Sequence, residues 1–132
     1  MTEIVLTRHQ YLEFEKICLG AFTPLTGFMN SDQFRSVTER MRLPDDTVFP
    51  LPVILDLTED QVDMVQGKSK VTLIFRETEV GSLELDDLYQ PDKKASAEQI
   101  FGTSDPAHPG VQHLLDMNET FVGGAVHLKQ RA

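Results

Sequence analysis

Three features of the sequence predict an α+β fold around a small curled sheet. Short runs of strand formers are mixed with short amphipathic helix patterns. These do not alternate in the regular βαβ rhythm that produces a parallel sheet. The length, 132 residues, suits one domain that buries roughly two thirds of its unfolded surface.

The elements follow in order. Thr7-Arg8-His9-Gln10 is a capping box, with Leu6 and Tyr11 placed as a hydrophobic staple. Phe14, Ile17 and Cys18 continue the apolar face of that helix, and Gly20 suits the left-handed position that ends it. A second helix starts at Asn30, with Gln33 three residues on and a stripe of Phe34, Val37 and Met41. Pro44-Asp45-Asp46 reads as the turn after it.

Residues 47–57, TVFPLPVILDL, read as an extended segment. Pro50 and Pro52 cannot donate to a ladder, which sends its first half to an edge, while Val53 to Leu57 suits a buried strand. Thr58 to Gln61 is a further capping box for a short helix closed by Gly67. Residues 70–76 and 83–89, around a turn near Glu77 to Gly81, read as a hairpin. Asp92 caps a helix of about nine residues that Gly102 ends. His108-Pro109-Gly110 opens another, with Pro109 at its first position. TFVGGAVHL, residues 120–128, is a last strand, in which Gly123-Gly124 signals a bulge or a close backbone approach.

Composition narrows the function. Apolar content of 40% and charged content of 25% are those of a globular chain. The net charge of −9 repels phosphate backbones and anionic lipid. The single Cys18 leaves no internal disulfide and no cysteine zinc site. Without a basic, apolar leader or a run of about 20 apolar residues, the expected location is cytoplasmic, away from membranes.

Signals for chemistry are sparse. The chain has no Walker-type or dinucleotide phosphate loop and no G-x-S-x-G elbow. His108 and His113 lie on different faces of a helix, so they do not make a ligand pair. Asp105 and His108 are spaced to form a hydrogen-bonded pair that orders a helix start, a reading preferred over acid–base work. Glu84, Asp86, Asp87 and Asp92 form an acidic cluster that reads as a solvated face ahead of a metal site. Cys18, on an apolar stripe, reads as an inert buried thiol. The groups Arg35, Arg40, Arg42 and Lys68, Lys70 lack interleaved aromatics, which makes nucleic acid an unfavoured partner.

One stretch, GAFTPLTGFMNSDQF at residues 20–34, carries no charge from Gly20 to Met29. It resembles the N-terminal domain of ATP sulfurylase (sulfate adenylyltransferase), also found in PAPS synthetases. The family pattern runs Gly-x-Phe-Ser-Pro-Leu-x-Gly-Phe-Met, and Thr23 stands here for its Ser. The likeness continues in order through MRLPDDTVFPLPVILDL, with Phe49 for a Trp. It goes on through residues 87–111, with Phe101-Gly102-Thr103 and Ala107-His108-Pro109, and through FVGGAV at 121–126. It covers about residues 6–128.

The resemblance implies a PUA-like pseudobarrel of short mixed strands with packed helices. It also implies that the chemistry lies in a following nucleotidyl-transferase domain, on a Gln-x-Arg-Asn motif and paired histidines. Nothing here matches them: Gln130-Arg131-Ala132 lacks the Asn, and the Pro-His-Gly-Gly element usual before the first helix is absent. The expectation is therefore a non-catalytic docking module for such a domain, in cis or in trans, with no cofactor, metal or catalytic residue of its own. A free-standing RNA- or nucleotide-binding module of the PUA type is the second reading. Within the uncharged stretch, Phe22 and Phe28 are expected to pack inside, and Leu25 and Met29 to project towards a partner.

Overall fold

The strand over residues 120–128 organises the molecule. The computed structural model describes residues 2–49 and 52–130. Among them β1 (Glu3–Val5), β2 (Gly27–Phe28), β3 (Leu55–Leu57), β4 (Lys70–Phe75), β5 (Thr78–Glu84), β6 (Asp87–Tyr89) and β7 (Thr120–Leu128) form one curled sheet. Helices α1 (Arg8–Cys18), α2 (Ser31–Arg40), α3 (Glu59–Val65), α4 (Lys93–Phe101) and α5 (Pro109–Asp116) complete these elements. The α+β prediction matches this architecture, a curled half-barrel.

The strand order is β1-β4-β5-β7-β2, with β3 and β6 both paired to β7. β5 and β6 run along one edge of β7 and β2 and β3 along the other, all antiparallel to it. β6 resumes pairing after a register slip at Leu85-Asp86, where Asp86 N–H donates to the Gly123 carbonyl at 2.9 Å. β1 joins β4 in parallel. The close approach expected at the paired glycines is present. A Cβ on Gly124 would collide with the Glu84 carbonyl, and one on Gly123 with the backbone of Asn30. No side chain fits where these two backbone segments converge on β7.

The helix signals are realised locally. Thr7, Asn30 and Thr58 each close a reciprocal capping box with a glutamine three residues on. Asp92 accepts from Ala95 N, and His108 accepts from Gly110 N. Such caps satisfy amides that the helix itself cannot. Leu6 and Tyr11 are buried at the staple, and Gly20 is left-handed at φ 84°.

Three expectations change. The hairpin forms between β4 and β5, not between 70–76 and 83–89. Its turn is Arg76-Glu77, both left-handed (φ 51° and 63°), and Phe75 pairs directly with Thr78. A two-residue turn with positive φ at both positions matches the twist of its strands, but Asn-Gly usually announces it. Residues 87–89 then leave the hairpin and pair with β7. Met41 does not extend the α2 stripe: it is the left-handed C-cap, half exposed, and Leu43 fills the core beyond it. The buried strand begins at Leu55 rather than Val53, although Val53 is itself buried. The Pro50 expectation lies outside the described residues, as do Arg131 and Ala132.

A continuous core joins the sheet to the helices, with Phe14, Phe28, Met29, Leu55, Leu73 and Phe121 wholly enclosed. Lys93 is buried at 9% exposure. Its ammonium donates to the carbonyls of Leu115 (3.0 Å) and Met117 (2.6 Å) and lies 3.3 Å from the Glu119 carboxylate. A cation on the last carbonyls of α5 meets both their unpaired oxygens and the negative end of the helix dipole. It thereby locks α4 to α5.

Candidate functional site

The uncharged stretch is the first candidate. Beyond Gly20, the Thr23 hydroxyl donates to the Gly20 carbonyl at 2.7 Å, and Leu25 N–H donates to the Phe22 carbonyl at 2.8 Å. Gly27 and Phe28 then enter the sheet as β2. Met29 N–H donates to the Val53 carbonyl at 2.9 Å, and the Met29 carbonyl accepts from the Tyr89 hydroxyl at 2.7 Å.

This backbone path turns the apolar side chains inward. Leu25 is 5% exposed, Phe28 1% and Met29 0%. The expectation that Leu25 and Met29 project towards a partner is corrected: both are core residues of this domain. Between a left-handed glycine and a capped helix, β2 contributes only two residues to the sheet, and the loop must bury its apolar groups to hold that strand in place. Phe22 is half-buried, its ring 6.2 Å from that of Phe49.

Asp105 and His108 are adjacent but take separate side-chain partners. Asp105 Oδ1 accepts from Ala107 N–H at 3.0 Å, and His108 Nδ1 accepts from Gly110 N–H at 3.1 Å. The bond between the two residues is main-chain, from His108 N–H to the Asp105 carbonyl at 3.0 Å. Accepting at Nδ1 puts the imidazole proton on Nε2.

The acidic cluster is used structurally. Asp86 accepts from the Asn30 amide at 2.9 Å, Asp87 from Ser31 N–H at 3.0 Å, and Asp92 caps α4. Two of these carboxylates thus converge on the start of α2, where helix amides and the dipole favour negative charge. No group of three metal-ligating side chains occurs among the described residues. Burial raises the Cys18 thiol above its ordinary range, which disfavours the reactive thiolate. Arg35 pairs with Asp32 and Arg40 with Asp46, on exposed surface. No helix among the described residues is long and apolar enough to cross a membrane.

The sequence reading missed a cluster at the junction of α1 and α5. His9 Nε2 lies 3.2 Å from Glu13 Oε1 across one helical turn, and the His9 and His113 rings meet edge to face at 5.1 Å. Glu13 Oε2 is buried and has no partner among the described residues. Desolvation raises the Glu13 carboxyl above its ordinary 4.5, against the opposing pull of His9, Lys16 and His113. His9, Glu13 and His113 border a pocket of about 180 Å³, walled by Ile100, Phe101 and Leu114. The i, i+4 spacing of His9 and Glu13 was the available signal. Nothing in the sequence placed His113 beside them.

The curled sheet with its flanking helices defines a PUA-like architecture. A family model described as "PUA-like domain" matches residues 1–131, and the chain belongs to that family. Its relatives include the sulfate adenylyltransferase of Schizosaccharomyces pombe, 39% identical over 94% of this chain and 26% of that protein. Those of Halothermothrix orenii (34%; 99% of this chain, 35% of that one) and Thermococcus onnurineus (35%; 89% and 30%) are similar. The chain resembles the N-terminal domain of these enzymes and spans about a quarter to a third of their length. A solved hexameric APS kinase from Thiobacillus denitrificans shares the fold, with a TM-score of 0.72 and 19% identity over 98% of this chain and 22% of that one.

Proposed function

We propose that this chain is a non-catalytic docking module for a nucleotidyl-transferase domain, in cis or in trans, in sulfate activation. The single observation that carries the reading is one of coverage. Relatives named sulfate adenylyltransferase align over nearly all of this chain, which supplies only a minor part of their length.

The surface supports a docking role better than a chemical one. Leu12 on α1 and Leu19 at its C-cap are exposed at 40% and 58%, about two turns apart. Val5, on the strand just before α1, is exposed at 63%. These replace Leu25 and Met29 as the apolar groups available to a neighbouring domain. The cytoplasm is the compartment this reading implies.

The test has two arms. Purified chain is assayed for sulfate-dependent pyrophosphate exchange, then mixed with a separately produced transferase domain from one of these relatives and analysed by size-exclusion chromatography. The expected result is no exchange by the chain alone and co-elution with the transferase domain, weakened by Leu12→Asp with Leu19→Asp. Turnover by the chain alone, or the absence of any complex, overturns the reading.

A further inference from the structure

We propose that the partner surface covering α1 is acidic around an apolar centre, so that Leu12 is buried between two cations, Arg8 and Lys16, each paired with a carboxylate of the partner. The inference names the chemistry of the surface in the docking reading, on which it rests, and it is carried by the charges of one helix.

The exposed side chains of α1 are Arg8, His9, Leu12 and Lys16, and Leu19 follows at the C-cap. At 3.6 residues per turn the four helical positions fall within an arc of about 100°. Leu12 stands four residues from Arg8 and four from Lys16, the spacing at which helix side chains are neighbours. The two carboxylates of this helix are turned aside. Glu13 is half-buried beside His9, and Glu15 is half-buried and accepts from the Tyr11 hydroxyl at 2.8 Å. Arg8 and Lys16 form no ion pair among the described residues.

The rest of the surface has the opposite sign. The chain carries −9, and every other helix exposes at least one carboxylate, as Asp32 does on α2, Asp63 on α3, Glu98 on α4 and Asp116 on α5. Among the described residues, α1 alone is a helix that exposes cations and no anion. Covering Leu12 takes water from the flanking Arg8 and Lys16, and a charge that loses water without gaining a partner is costly. The covering surface must therefore supply an anion on each side of its apolar contact. The same −9 repels an acidic patch from the other helices and steers it to α1.

The separately produced transferase domain is titrated with the full chain by calorimetry at 50 and 300 mM NaCl. Arg8→Glu with Lys16→Glu reverses the face. Lys68→Glu with Lys94→Glu changes the net charge equally at exposed positions off α1. Wild-type affinity is expected to fall about tenfold between the two salts. The reversed face should bind about a hundredfold more weakly at 50 mM, and the control within about threefold of wild type. Arg8→Gln with Lys16→Gln should fall between them, and it decides should the reversed chain not fold. A complex that weakens no more in the α1 variants than in the control overturns this inference and leaves the docking reading standing. No complex with the wild-type chain overturns both.

Discussion

The Tyr89 hydroxyl donates to the carbonyl of Met29 at 2.7 Å, across 60 residues of chain. This bond ties β6 to the residue before the α2 cap, and the Tyr89 ring sits edge to face with Phe121 at 5.8 Å. Tyr89→Phe keeps the ring and orphans the carbonyl. It should cost about 1–3 kcal/mol, seen as a lower denaturant midpoint at unchanged slope. Burial, and after it the Asp87 charge, raise the Tyr89 hydroxyl above its ordinary 10.0. The folded state therefore prefers the neutral form. That preference contributes stability below pH 10 which is lost as the pH rises above it. Above pH 10 wild type should lose stability faster than Tyr89→Phe.

Burial of the uncharged stretch makes Leu25 and Phe28 alike in kind. Phe28→Ala should cost roughly 3–5 kcal/mol as a core cavity. Leu25→Asp places a carboxylate where only 5% of the side chain meets water and should unfold the domain or lower its melting temperature sharply. Thermal unfolding followed by circular dichroism compares them. A Leu25→Asp protein that melts like wild type would refute the inward placement.

Backbone conformation makes a second pair of variants opposite in sign. Gly124→Ala drives a methyl into the Glu84 carbonyl and should destabilise by about 3 kcal/mol or more. Glu77→Gly relieves a left-handed residue at φ 63° and should stabilise by about 0.5–1 kcal/mol. Urea titration of the two proteins tests both signs.

Glu13 gives a pH-dependent prediction. Burial raises its carboxyl above 4.5 in the fold. Its contribution to stability is thus present below the unfolded value and lost as the pH rises through the folded one. At pH 7 the ionised, half-buried carboxylate is a liability. Glu13→Gln should therefore melt higher than wild type at pH 7, with the advantage shrinking towards pH 4. Paired melting curves at the two pH values check this, and an advantage independent of pH would refute it.

Much of the fold was legible because its signals are local. A capping box needs only a hydroxyl or amide and a glutamine three residues on, so the starts at Thr7, Asn30 and Thr58 are readable without a partner. Pro109 and Gly102 act through their own dihedral angles, and the long apolar run of β7 declares itself. The motifs from Gly20 to Met29 and from Phe121 to Val126 were also enough to indicate the family.

Tertiary structure decided the rest, because the deciding contacts join residues far apart in the chain. Leu25 and Met29 face inward because β7, about 100 residues later, pairs with Gly27-Phe28. Residues 87–89 leave the hairpin because β7 offers them a second ladder. Lys93 lies buried because the end of α5 presents carbonyls that need a cation. His113 meets His9 only because the fold brings α5, which packs on α4, within reach of α1, and the gap between them is the pocket. By itself the sequence determined where helices begin, which strand dominates and which family the chain resembles. Only the packed structure decided which side chains face solvent and which polar atom is buried without a hydrogen bond, since burial belongs to the whole fold and not to any one segment.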